Sequence, residues 1–248
     1  MSIWLTGDLH GASGLDKLMP WTWPEGRELD KSDFLVVLGD FGLVWHGDRR
    51  DDFALDALDD LPWTTLFVDG NHENHAALAT YPRTEMFGGT VGVLRPSVFH
   101  LLRSQVLDIP MDGDTTLSCA VMGGARSIDR AWRTEGVSWW PQEIPSQEER
   151  DAFEAALEAH DWRVDCVLTH DSPANVVPAL ALMSRLDDVR ADDTERWLGS
   201  IEYRLDYRLW CFGHWHLDAT LDDRTNVLYQ SIENVIDLLG TADESQTR

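Results

Sequence analysis

Lysine is nearly missing from this chain. Lys17 and Lys31 are the whole supply, and with arginine the basic residues number 20 against 44 Asp and Glu, a formal net charge of −24. Such an acidic chain is poorly suited to coating a phosphate backbone, which takes clustered Lys and Arg to displace counterions. The charge alone does not exclude a nuclease, because bound divalent cations reverse the sign of the field inside a site. Cysteine is scarce as well. Cys119, Cys166 and Cys211 are odd in number, far apart and each set in an apolar run. They read as reduced packing residues of a cytoplasmic protein, with no disulfide framework and no cysteine metal motif. No apolar run is long enough to span a bilayer. Met1-Ser2 leads directly into Ile3-Trp4-Leu5 with no basic segment before it, so no secretion signal is expected. Repeats, low-complexity blocks and Gly/Ser linkers are also lacking. A composition of 43% hydrophobic and 26% charged residues belongs to the soluble globular class. One α/β domain is expected over residues 1–240, with a disordered polar tail at 241–248.

What recurs along the chain is a short apolar run ending in small or polar residues. Phe34 to Leu38 ends at Gly39-Asp40, and Thr65 to Val68 ends at Asp69-Gly70-Asn71-His72. Leu117 to Met122 ends at Gly123-Gly124, Val164 to Leu168 at Thr169-His170, and Leu209 to Phe212 at Gly213-His214. Continuous β-branched and aromatic runs of this length predict strands buried on both faces. Helical spacing is predicted between them: Asp51 to Asp60 with Phe53, Ala54, Ala57 and Leu58 inward, and Ser146 to His160 behind a Ser-x-x-Glu capping box. Pro173 to Met183 and Asp192 to Ile201 are further helix candidates. Strands alternating with helices suggest stacked sheets flanked by helices. Near the end, Ala219 to Leu221, Asn226 to Tyr229 and Ile232 to Asp237 read as antiparallel hairpin strands.

The residues able to bind metal cluster where strands end. Asp8 and His10 follow the first apolar run, Asp40 the second, Asn71 and His72 the third, His170 a later one, and His214 with His216 the last long one. Ligand sites of open α/β sheets lie outside the carboxyl ends of the strands, so five segments deliver Asp, His and Asn to one edge. Asp-x-His and His-x-His set alternate side chains on one side of an extended backbone. Imidazole with carboxylate and amide oxygen suits Mn, Fe or Zn, whereas an all-oxygen cage suggests Ca or Mg. Seven ligands are too many for one tetrahedral ion and suffice for two if one carboxylate bridges; paired ions roughly 3.5–4 Å apart are a recurring device for displacement at phosphorus. Taken singly, none of these residues is diagnostic. His46, His75, His100 and His160 read as surface or packing residues.

The ordered set Gly7-Asp8-Leu9-His10-Gly11, Gly39-Asp40, Gly70-Asn71-His72-Glu73, Thr169-His170 and Gly213-His214-Trp215-His216 resembles the calcineurin-like metallophosphoesterase superfamily, from Asp8 to His216. The resemblance implies a four-layer α/β/β/α sandwich of two mixed sheets flanked by helices, with a dinuclear metal site at the C-terminal strand edge. It implies Asp8, His10, Asp40 and His216 around one ion, with Asp40 bridging to a second ion held by Asn71, His170 and His214. The two divalent transition-metal ions would be Mn, Fe or Zn, with Mn favoured, and a hydroxide bridging them would be the nucleophile. His72 would protonate the leaving oxygen or steady the phosphoryl group. Asp69 and Glu73 are candidates for orienting histidines. Serine/threonine protein phosphatases carry phosphate-gripping arginines soon after the second motif and just after the third. Here those stretches read Gly39-Asp40-Phe41-Gly42-Leu43-Val44-Trp45 and Gly70-Asn71-His72-Glu73-Asn74-His75, without an arginine. The terminal Gly-His-Trp-His is closer to bacterial phosphodiesterase and nucleotidase branches.

Arg126 and Arg133, beyond Gly123-Gly124, are candidate substrate-binding residues, because a guanidinium beside free backbone amides grips phosphate. Trp139-Trp140 would stack on a base or, more simply, pack; the Trp21-Thr22-Trp23 loop is a lid candidate. The expectation is a cytoplasmic metal-dependent phosphoesterase that hydrolyses a mono- or diester of a small phosphorylated molecule, nucleotides among the candidates, with neither membrane nor nucleic acid as partner. A noncatalytic metal-binding scaffold and a nuclease are the alternatives.

Overall fold

Most of the apolar runs become strands, and each then needs cover for two faces. The computed structural model describes residues 1–113 and 115–246, with side chains through Ala242. The chain runs β1 (Ile3–Thr6), β2 (Phe34–Leu38), α1 (Arg49–Asp59), β3 (Thr64–Val68), α2 (His75–Leu78), β4 (Arg83–Met86), β5 (Gly89–Arg95) and β6 (Val98–Leu101). It continues through β7 (Gln105–Met111), β8 (Thr115–Met122), α3 (Gln147–Ala159), β9 (Arg163–Thr169), α4 (Val177–Met183) and α5 (Asp193–Glu202). The last elements are β10 (Asp206–Phe212), β11 (Ala219–Thr220), β12 (Thr225–Val227), β13 (Ile232–Asn234) and α6 (Val235–Gln246).

Two mixed sheets form. One has the order β13-β1-β2-β3-β6-β5-β4, the other β11-β12-β10-β9-β8-β7. The strands that precede the metal-capable motifs, β1 to β3 in the first sheet and β9 and β10 in the second, pair in parallel. Antiparallel strands close the edges.

Alternation along each strand sorts its side chains between two layers. Leu5, Val36, Leu38, Leu66 and Val68 of the first sheet face Cys119, Val121, Cys166, Leu168 and Leu209 of the second in one core cluster. The other faces carry their own clusters. Leu35, Val37 and Phe67 pack under Leu55 and Leu58 of α1, and Val167, Trp210 and Phe212 under Phe153 of α3 and Leu198 of α5. Helices therefore cover both outer faces, and the architecture is the expected four-layer sandwich. Each large side chain buried this way contributes about 1.5–3 kcal/mol. The three cysteines are free and buried, as expected.

Capping chemistry sets the helix starts. Ser146 and Glu149 form the predicted capping box of α3, and Asp192 with Glu195 forms a second one on α5; a cap of this kind stabilises by about 1 kcal/mol. Helix α1 is rotated from the expected face. Phe53 is 78% exposed, while Ala54, Leu55 and Leu58 point inward. The cause is Asp51, whose carboxylate turns in to accept N–H groups from Trp45, His46 and Gly47 and so fixes the helix rotation.

The C-terminal reading needs correction. Ala219–Thr220 and Thr225–Val227 do form a hairpin, but Ile232–Asn234 joins β1 in the other sheet. Val235 to Asp237, read as strand, begins α6, because Asn234 Oδ1 accepts the Ile236 N–H at 2.9 Å in the manner of an N-cap. Val235, Leu239 and Ala242 then fall on one buried helical face. The expected polar tail is thus helical from Thr241 to Gln246, and its last two positions, 247–248, lie outside the described residues. Among the described residues no helix is long and apolar enough to cross a membrane.

Candidate metal centre

Loops leaving β1, β2, β3, β9 and β10 meet at the carboxyl edge of the two sheets, and their backbones interlock. Leu9 and His10 N–H both donate to the Asp40 carbonyl, at 3.0 and 2.8 Å. The Asp40 side chain accepts from His72 N–H at 2.6 Å, and Asp8 Oδ1 accepts from His214 N–H at 3.1 Å. Glu73, fully buried, accepts from Phe41 and Gly42 N–H at 2.6 and 3.1 Å and so clamps the turn after Asp40. This network carries strain. His10, Asp40, His214 and His216 have φ of 52°, 43°, 66° and 50°, left-handed values that cost non-glycine residues about 1–3 kcal/mol each. Four of the seven expected ligands sit there.

The side chains converge in two groups. Asp8, His10, Asp40 and His216 offer ligand atoms that all lie within 4.8 Å of one another, as do those of Asp40, His170 and His214. Asp40 is common to both. His10 Nε2 lies 2.8 Å from His216 Nε2, and His216 Nε2 lies 3.3 Å from Asp8 Oδ2. His170 Nε2 is 3.3 Å from Asp40 Oδ1 and 3.1 Å from the Asn71 amide oxygen, so Asn71 joins the second group. The His72 ring stands edge-on to His10 with centroids 4.9 Å apart. Arg133 also reaches His72: its Nη2 is 2.7 Å from His72 Nε2 and 3.3 Å from Nδ1, and its Nε donates to Asp129 at 2.8 Å.

The model of the calcineurin-like phosphoesterase family matches residues 1–218. The chain belongs to that family. It is therefore a hydrolase acting on phosphate esters, of a class that works with a pair of divalent metal ions. A search of the curated proteins finds no match.

The electrostatics of this calcineurin-like phosphoesterase fit such ions. Burial pushes the Asp8 carboxyl up to about 7. Burial pulls His10 down to about 4 and His214 to about 3, leaving neutral imidazole, the form that ligates metal. Burial opposes charge on Asp40 too, but His170 outweighs it and draws the carboxyl far below its usual range. For His170 the balance runs the other way: Asp40 and Asp8 overcome burial and raise it to about 10. Among the described residues, Asp8 Oδ2 is buried without a hydrogen-bond donor. A buried acceptor left unpaired is expensive, and a divalent cation is the partner that the donor set of imidazole, carboxylate and amide oxygen suits.

Other expected residues fall elsewhere. Arg126 is exposed and makes no hydrogen bond or ion pair to the ligand groups. Asp69 turns away from the ligands and accepts from Arg103 Nε at 2.8 Å and His100 Nε2 at 3.1 Å. Arg103 and His100 hold its carboxyl well below the usual range although burial opposes this. Trp140 is buried edge-on to Trp45, Trp139 lies under the Arg130 guanidinium, and Trp23 packs against Trp63, so these aromatics serve as packing.

Two contributors escaped the motif reading. Buried Lys17 donates to the carbonyls of Gly7, Asp8 and Tyr229 at 2.9, 3.0 and 2.6 Å, tying the first motif to the segment after β12. Burial pulls its ammonium down to about 8. Its signal was its rarity, one lysine of two, seven residues past His10. Ser127, next to Arg126, receives the Asn71 amide N–H at 3.1 Å; its signal was the Gly-Gly turn that brings this segment back to the edge.

Proposed function

We propose that this calcineurin-like phosphoesterase hydrolyses a mono- or diester of a small phosphorylated molecule, with nucleotides the first class to examine, in a reducing cytoplasmic setting. The observation that carries the reading is Asp40, common to two ligand groups and hydrogen-bonded to the backbone of His72. Asp8, His10, Asp40 and His216 would hold one ion, and Asp40, Asn71, His170 and His214 the other, with manganese favoured by the mixed oxygen and nitrogen donors. Bound there, the ions supply Lewis acidity toward the phosphoryl oxygens and bring water close to deprotonation at neutral pH.

The chain's own residues supply the rest. Arg133 donates its guanidinium to the phosphoryl oxygens, a charge-assisted contact that orients the ester. That exchange takes Arg133 off His72. Burial keeps His72 below its ordinary proton affinity, and an arriving phosphoryl anion raises it again. His72 would then take up a proton from water and give it to the leaving oxygen as the bond from that oxygen to phosphorus breaks. A cleft of about 400 Å³ opens beside His10 and His72, walled by Leu43, Trp45 and Ala54 with His46 and Arg50 at its rim. That volume suits a small leaving group better than a polymer, and the −24 charge disfavours nucleic acid.

The test is hydrolysis of bis-p-nitrophenyl phosphate and p-nitrophenyl phosphate after chelation and Mn²⁺ re-addition, beside a His72→Ala control. Metal-dependent turnover that the variant loses supports the reading, and the ratio of the two rates separates diesterase from monoesterase. Turnover untouched by chelation, or unchanged in His72→Ala, refutes it.

A further inference from the structure

Asn71 is the one expected ligand whose two terminal atoms differ in kind. Its oxygen can meet a cation and its NH2 cannot, yet the two ends have nearly the same shape. Something must choose between them. The amide nitrogen points to Ser127 Oγ at 3.1 Å, and the amide oxygen faces His170 Nε2 at 3.1 Å. Ser127 is itself held. Its hydroxyl donates to Glu143 Oε2 at 2.8 Å and its N–H to Glu143 Oε1 at 2.9 Å. Glu143 is fully buried, and Arg130 Nε meets its Oε1 at 2.5 Å. With its only proton given to the carboxylate, the Ser127 hydroxyl offers lone pairs alone. It can accept an N–H and has nothing to give an amide oxygen.

We propose that Glu143, acting through Ser127, is the positioning device that locks the Asn71 amide with its oxygen toward His170 and Asp40, making the second ion's site competent. The inference rests on the two-ion reading above. It gives the strap between β8 and α3 a double duty, since Ser127 and Arg133 lie on the same segment. Gly124 N–H donates to the Asp69 carbonyl at 2.7 Å, which docks the start of that strap two residues before Asn71. Without the lock, only the His170 contact distinguishes the two ends of the amide, and a turned amide would set its NH2 toward the cation.

The test is Mn²⁺ titration by calorimetry of the metal-stripped full chain, with melting temperatures of the stripped proteins recorded alongside. Wild type should take up two ions. Ser127→Ala and Glu143→Gln should keep one ion near wild-type affinity and bind the other on the order of 10–100-fold more weakly, the usual effect of losing a group that orients a ligand. Glu143→Gln is the sharper variant: its NH2 would turn the Ser127 proton toward Asn71 and reverse the amide. Ser127→Thr, which keeps the hydroxyl, should bind both ions as wild type does. A merely structural contact predicts lower melting temperatures and equal weakening of both ions, which overturns the proposal. So does wild-type affinity in Ser127→Ala, or a Thr variant no better than Ala. Should Ser127→Ala fail to fold, Glu143→Gln and Ser127→Thr decide. If wild type itself takes up fewer than two ions, the two-ion reading falls and this inference with it; two ions in wild type, and two bound with wild-type affinities in Ser127→Ala, sink the inference alone.

Discussion

Arg133 Nη2 lies 2.7 Å from His72 Nε2. The same nitrogen is 3.3 Å from His72 Nδ1, so the guanidinium lies against the face of the ring, and burial, with the Arg133 charge added, lowers the proton affinity of His72. The pair is therefore a resting arrangement that a phosphoryl group breaks. Arg133→Ala should lower kcat/KM for an aryl phosphate about 10- to 100-fold, the effect of losing a hydrogen bond of about 1.5–3 kcal/mol to a charged group. His72→Ala should lower kcat by about 10²–10⁴. Because both act on one phosphoryl group, the double variant should lose less than the product of the two effects. Full multiplicativity in steady-state kinetics would dissociate Arg133 from the reaction.

Gly39 is the backbone position on which the site depends most directly. Its φ is +88°, and a Cβ built there would stand 2.1 Å from His170 Nδ1. Alanine would meet both an unfavourable backbone and a ring with no room to move, since His170 is fully buried. Gly39→Ala should lower stability by more than about 2 kcal/mol, a left-handed backbone penalty with a steric clash added, and should weaken metal binding by displacing His170. Denaturant unfolding and Mn²⁺ uptake check the two effects. An alanine variant that unfolds at the wild-type midpoint would disprove the steric argument.

The fold was legible where one force dominated. Runs such as Phe34 to Leu38 are buried on both faces, so sequence alone places them inside a sheet. The turn residues after them mark the edge where Asp8, Asp40, Asn71, His170 and His214 meet. Legibility failed where a polar side chain overrode an apolar pattern. Asp51 turned α1 so that Phe53 faces outward, and Asn234 started a helix where β-branched residues suggested a strand. The partners of the site residues were hidden for the same reason. Lys17, Ser127 and Glu143 act through hydrogen bonds that span 9 to 212 residues of sequence, a range over which spacing carries no information.

Metal removal should reach stability as well as rate. Among the described residues, the stripped site keeps Asp8 Oδ2 buried without a donor, and burial holds His10 and His214 as neutral imidazoles. A ligand that binds only the folded state stabilises it by about 2.7 kcal/mol for each site at a hundredfold excess over Kd. Chelated protein should therefore melt lower than protein with Mn²⁺, and the melting temperature should climb with metal concentration. Identical melting curves across a Mn²⁺ series would contradict a folded-state metal site.

Glu195 gives a pH dependence from a group outside the expected ligand set. It sits at the third position of α5, accepts the Asp192 N–H at 2.7 Å, and has the Ser172 hydroxyl 3.3 Å from its other oxygen. Burial, with Asp192 beside it, pushes its carboxyl up to about 6 against an ordinary 4.5, and Asp171 is raised beside it by the same burial and by Glu195 itself. The folded chain thus binds the Glu195 proton more tightly than the unfolded chain does. Its contribution to stability is complete below about pH 4.5 and is lost as pH rises to about 6, where both states are ionised. Glu195→Gln keeps a side-chain oxygen for the capping box and removes the titration. Stability measured by denaturant unfolding from pH 4 to 7 should fall less steeply across that window in the variant than in wild type. Equal slopes would mean that the carboxyl is already ionised in the folded chain, with its burial relieved by water.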